Sequence, residues 1–111
     1  MTTIMPTDEN NNPIPALRLR DLAAHKITVA ATSARNTTAF NTGTRVVSLY
    51  ATGPVYVRFG GSGVTATTND HYFPANVYYD IAIGGEESAQ TLYVAALRAD
   101  TDCMLYISEK N

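Results

Sequence analysis

Few residues in this chain have the types and spacing that chemistry needs. Asp70-His71 follows Ser62 closely, which brings a nucleophile, base and orienting acid to mind. That chemistry needs the base within hydrogen-bond reach of the hydroxyl. The sequence around Ser62 is Gly61-Ser62-Gly63, with no G-x-S-x-G elbow between a strand and a helix, so a chain bend explains it better. His25 and His71 are the only histidines, far apart and without the neighbouring Cys, His or carboxylate ligands of a metal site. Gly60-Gly61-Ser62-Gly63 is glycine-rich, yet a Thr-rich strand is expected after it, where a phosphate loop needs a helix. Asp100-Thr101-Asp102 opens like a calcium loop, but Cys103 and Met104 then replace the remaining ligands. The single cysteine, Cys103, lies in an apolar run and reads as a small buried hydrophobe. No catalytic residue, cofactor site or metal site is therefore assigned, and the chain is expected not to be an enzyme.

The elements that would position these residues are strands. Val47, Leu49 and Ala51 share one face of an extended chain, as do Val55, Val57 and Phe59 in the next run. The two runs read as a hairpin joined by Thr52-Gly53-Pro54, with Gly53 expected to supply a positive φ. Val77, Tyr79, Ile81 and Ile83 alternate, then Leu92, Val94 and Ala96, then a last strand over Cys103–Ser108. Leu17–Arg20 and Lys26–Ala31 read as two short strands separated by a helical turn or loop over Asp21–His25. Val64–Thr68 reads as a further strand and Glu86–Ala89 as a charged loop. About seven to nine short strands with turn signals between them predict an all-β fold, an antiparallel β-sandwich of jelly-roll type. The expected organisation is an extended arm over residues 1–15 and a single sandwich domain over residues 16–111. The opening MTTIMPTDENNNPIP lacks the basic and apolar stretches of a signal peptide or membrane span, so a soluble chain and no membrane partner are expected.

The totals narrow the partners. Across 111 residues only 16% are charged, the net charge is −2 and no basic run is present. Nucleic acid is not expected as a partner, because phosphate binding needs clustered Lys and Arg. A surface poor in charge favours self-association, and a homo-oligomer is expected. The protein-interface candidates are Ile4, Met5 and Ile14 in the arm, Phe40, Tyr56, Arg58 and Tyr78. Phe40 stands alone in the small polar run Thr32–Gly43, which reads as a long loop that it pins to the core or to an interface. Tyr78 alternates with Tyr79, so only one of them faces the core; an outward Tyr78, with Tyr56 and Tyr50, suits a protein interface or a sugar. Arg58 lies opposite Val57 and Phe59 and suits a neighbour's carboxylate.

Arg58 also sits in the block VYVRFGGSGVTATTNDHYFP, and the chain ends in TLYVAALRADTDCMLYISEK. This pattern resembles small virion proteins of tailed phages and of phage-like gene transfer agents, over roughly His25 to Lys110. Val57, Arg58, Phe59, Gly60, Val64, Ala66, Asp70, Pro74 and Ala75 carry the resemblance. It implies a capsid decoration protein or head-spike base, a β-sandwich assembling as a symmetric homo-oligomer on the major capsid protein or other virion proteins. The implied location is the virion, assembled in the host cytoplasm. The alternative is a tail or baseplate component that binds host surface glycan or protein.

Overall fold

The computed structural model describes residues 9–10, 17–84 and 90–110. Ile4, Met5 and Ile14, most of the expected arm, and the expected loop Glu86–Ala89 lie outside the described residues. Eight strands are present: β1 (Leu19–Val29), β2 (Ala34–Arg35), β3 (Val46–Ala51), β4 (Val55–Gly60), β5 (His71–Phe73), β6 (Tyr78–Ala82), β7 (Tyr93–Arg98) and β8 (Cys103–Lys110). They form two four-stranded antiparallel sheets, in the orders β1-β8-β3-β6 and β2-β7-β4-β5, so β3 and β4 are not the expected hairpin: the bend between them carries the chain from one sheet to the other. The pairing is nested: β4 pairs with β5, β3 with β6, β2 with β7 and β1 with β8. No helix is present among the described residues, and the fold is all-β and sandwich-like.

Alternation builds the core. Ile27 and Val29, Val47, Leu49 and Ala51, and Leu105 and Ile107 come from the first sheet; Val55 and Val57, and Val94 and Ala96 come from the second. They make one buried cluster, and each buried Val, Leu or Ile contributes roughly 1.5–3 kcal/mol. Phe73 of β5 and Tyr79 of β6 meet edge to face across the two sheets, centroids 4.9 Å apart. Phe73 and Tyr79 are thus the inward aromatics, as alternation requires.

Phe40 corrects one expectation. It is buried in this cluster and is not an interface residue. Its amide donates to the Leu92 carbonyl at 2.9 Å, which ties the polar run to the lead-in of β7 and drives the ring inward. The run itself is not all loop, because Ala34 and Arg35 pair with β7 as β2. Buried Asn36 extends that pairing by side chain: its Oδ1 accepts from the Val94 amide at 2.8 Å.

Three further differences have local causes. Asp21–His25 is neither helical turn nor loop; it belongs to one long β1. β1 advances five positions from Leu19 to Ala24 while β8 advances two from Lys110 to Ser108, so the strand bulges there. Leu22 occupies the bulge with φ of 57°, a conformation that costs an ordinary L-residue roughly 1–2 kcal/mol. Val64–Thr68 is not a strand: the Ala66 amide donates to Ser33 Oγ at 2.8 Å and Thr67 opens a turn closed by Asp70. Gly53 has no positive φ. Glycine is needed because a Cβ there would lie 2.9 Å from the Cβ of Cys103.

Candidate functional site

Outward residues of the first sheet form the candidate site. Antiparallel register places directly opposed residues on the same face. Lys26 opposes Tyr106, Tyr106 opposes Tyr50, and Tyr50 opposes Tyr78. One row therefore crosses all four strands of the sheet, a lysine followed by three tyrosines. The inward neighbours Ile27, Leu105, Leu49 and Tyr79 force these side chains outward. The tyrosines stay open to solvent, at 45% for Tyr106, 37% for Tyr50 and 55% for Tyr78.

Polar contacts hold the row. Tyr50 donates its hydroxyl to Asn76 Oδ1 at 3.1 Å, and Asn76 is fixed in a left-handed turn by donating its amide to the Ala51 carbonyl. Lys110 lies 4.8 Å above the Tyr78 ring and pairs with Asp80 at 2.8 Å. The Asp80 carboxylate and the Tyr78 hydroxyl hold the Lys110 ammonium above its usual pKa. A lysine over an aromatic face gains cation–π attraction. This arrangement can bury amphipathic aromatic area against a protein, or stack on a sugar.

The second sheet differs on its outer side. Tyr56 opposes Tyr72, their rings 5.8 Å apart, and Arg58 opposes Ala95. Arg35 lies 4.3 Å over Tyr93 and donates from Nε to the Ser62 carbonyl at 2.8 Å. That bond runs from β2 to the turn after β4 and spans the intervening β7. The chain's own turn thus covers part of this face. Arg58 remains exposed and makes no hydrogen bond or ion pair among the described residues.

No protein-family model, curated protein or solved structure matches this chain.

Several of the residues singled out for chemistry have structural partners. The Asp70 carboxylate accepts from the Thr67 amide and hydroxyl, at 2.6 and 3.2 Å, and closes a turn. No hydrogen bond joins Ser62, His71 and Asp70 among the described residues. His25 Nε2 meets Glu109 Oε2 at 2.7 Å, far from His71 in the pairing scheme, and its ring packs edge-on to Phe40. Asp102 pairs with Arg98 at 2.5 Å. Cys103 is half-buried beside the core, and burial, with a smaller push from Asp102, raises its thiol pKa against the Gly53 amide. Among the described residues no group of three or more His, Cys, Asp or Glu side chains is placed to hold a metal ion.

Sequence reading missed two features. Tyr106 completes the row, and its outward position between Leu105 and Ile107 is visible in the alternation. Glu109 is the second: 3% exposed, its carboxylate accepts from His25, from the Asn41 amide at 2.7 Å and from the Thr44 hydroxyl at 2.6 Å. Burial pushes the Glu109 carboxyl up, but the three hydrogen bonds outweigh it and hold the group below the usual glutamate range. Nothing in the run Ser108-Glu109-Lys110 distinguishes an inward glutamate from a solvated one.

Proposed function

We propose that this chain is a non-enzymatic structural virion protein that binds a capsid surface as a decoration protein or head-spike base. Its partners in this reading are the major capsid protein or other virion proteins, and it acts as a symmetric homo-oligomer in the virion. The observation that carries the reading is the exposed row Tyr106, Tyr50 and Tyr78 on the outer side of the first sheet, an aromatic surface of the kind enriched at protein interfaces. Many copies on a regular shell would add weak contacts into firm attachment.

The strand order supports a jelly roll within the sandwich-like fold. Nested antiparallel pairs describe one long hairpin of four strand pairs. Rolling it up sets β1 and β8 beside β3 and β6, and β2 and β7 beside β4 and β5. Jelly rolls of two such sheets serve in viral capsids and in lectins. The reading also includes an extended arm over residues 1–15, with Ile4, Met5 and Ile14 as anchors on a neighbour.

The residues that carry the phage-protein resemblance have roles in shaping the domain. Val57 and Ala66 are buried, a Cβ on Gly60 would touch Val64 at 3.0 Å, and Asp70 closes its turn. This suits a protein selected for shape and docking.

Cryo-electron microscopy of particles carrying the tagged chain tests the proposal. Density on the head shell is expected. Absence from purified particles would overturn the reading. Density on the tail would favour the second reading, a tail or baseplate component binding host glycan or protein, for which the tyrosine row is the motivating feature.

A further inference from the structure

Four features stand out on the surface of a single copy of the domain. Leu22 is 98% exposed and holds a left-handed backbone conformation, where glycine or asparagine would relieve the strain. Its neighbour Asp21 is exposed and makes no hydrogen bond or ion pair among the described residues. On the other sheet Arg58 is equally exposed and equally without a partner. Beside Arg58 lies an open groove of about 340 Å³, bounded by Gly60, Gly61, Gly63, Val64 and Thr65.

Two of the groove's glycines are not required by the fold. A Cβ at Gly61 or at Gly63 would meet nothing within 4 Å, and neither residue has a positive φ. Bare backbone with open space above it lets a foreign chain approach closely. Leu22, by contrast, stands proud of an edge strand at a bulge, and strain on an exposed leucine marks a position kept for something outside the fold. The bulge offers an apolar tip and an anion; the groove offers an open hollow and a cation.

We propose that the β1 bulge of one copy, Asp21 and Leu22, docks into the Arg58 groove of a second copy. Asp21 pairs with Arg58 of the neighbour, and Leu22 rests against Val64 and the glycine backbone. The bulge lies at the edge of the first sheet and the groove on the outside of the second, so each copy uses one surface of each kind. The contact is therefore head-to-tail, and repeated copies close into a ring if the rotation allows, or extend as a chain if it does not. Asp70 does not line the groove, and its Oδ2 accepts from the Thr67 amide and hydroxyl. This proposal rests on the self-assembling part of the proposed function. Mass in solution tests it alone, whereas location on the particle tests the rest, so either can fail by itself.

The experiment is multi-angle light scattering and sedimentation of the full chain from about 1 to about 100 μM, across low and high salt. Masses at multiples of 12.0 kDa that grow with concentration and shrink with salt are expected. Asp21→Arg and Arg58→Asp should each weaken association at least about tenfold, and the two together should restore it. Leu22→Asn accepts the left-handed backbone, so it should keep or raise the melting temperature while weakening association. A monomer at every concentration would overturn the proposal. So would an oligomer indifferent to all three changes, or single variants whose combination fails to restore assembly. A monomer whose Asp21→Arg form also leaves the particle would overturn it too, and would give the bulge to the shell protein.

Discussion

Ala82 and Ala95 both point away from the core, yet solvent reaches the first and not the second. Ala82 lies on the outer side of the first sheet, level with Val46; Ala95 lies on the outer side of the second, between Arg35 and Arg58 in the cross-strand rows. The second sheet is covered in part, around Ala95, where the turn after β4 is tied back over β7 by Arg35 to Ser62 and by Ala66 to Ser33. The first sheet has no such cover among the described residues, and its outer row is lysine and tyrosine. The same pleat thus produces a face partly covered by its own turn and a face whose tyrosine row stays open, although Ser48 on that open face is buried. Position in the sheet adds to the difference, since Ala95 lies on an inner strand and Ala82 on an edge strand.

The largest expected effect breaks the covered side. Ala95→Lys must bury an ammonium beside two arginines or lift the turn, and should cost about 4 kcal/mol in urea unfolding. If it costs under about 1 kcal/mol, the turn does not cover the sheet as described. Next is the inner side of the open sheet. Glu109→Gln keeps the shape but removes the charge that three donors converge on, and should cost about 2 kcal/mol near neutral pH. Its pH dependence has a definite sign. Because the folded Glu109 carboxyl is held below the ordinary glutamate value of about 4.3, its stabilisation is complete above that value. It is lost as pH falls through the lower folded value, so wild-type stability should drop more steeply on acidification than that of Glu109→Gln.

Smaller effects sharpen the contrast on the open face. Tyr50→Ser, Tyr78→Ser and Tyr106→Ser together remove two cross-strand aromatic pairs, each worth roughly 0.2–1 kcal/mol, so the domain should stay folded. The triple variant should nonetheless lose attachment to particles in a co-sedimentation assay. Full attachment would show that the row is not the docking surface. Ala82→Lys should change stability by less than about 0.5 kcal/mol, the counterpart to Ala95→Lys.

Alternation made the central strands legible. Val47 to Ala51, Val55 to Phe59 and Leu92 to Ala96 could each be placed in or out from their own residues, and Tyr78 and Tyr79 with them. What was not legible depended on distant partners. Asp21–His25 carries no clean period because the strand bulges there, and only pairing with β8 reveals it as strand. Phe40, alone in a polar run, suited either the core or an interface, and its place in the core cluster shows only once the Leu92 carbonyl ties its backbone to the lead-in of β7. Gly53 suggested a positive φ, whereas its actual constraint is the Cys103 side chain, fifty residues away. For Glu109 the deciding partners are His25, Asn41 and Thr44, which only the fold assembles. The Asp70-His71 and Ser62 arrangement was set aside on local grounds, and the described structure gives each residue other surroundings.

Leu19, where β1 starts, sits directly across from Lys110, where β8 finishes, at a spacing of about 5 Å. A peptide fused to either end of the domain would emerge from the same pole. A linker of a few residues could splice the two together, with the chain reopened at the exposed Gly61–Gly63 turn as a circular permutant. The opposite pole, with the bends at 52–54 and 99–101, would stay unencumbered, which suits the domain to insertion within a larger polypeptide or to display of cargo from one end.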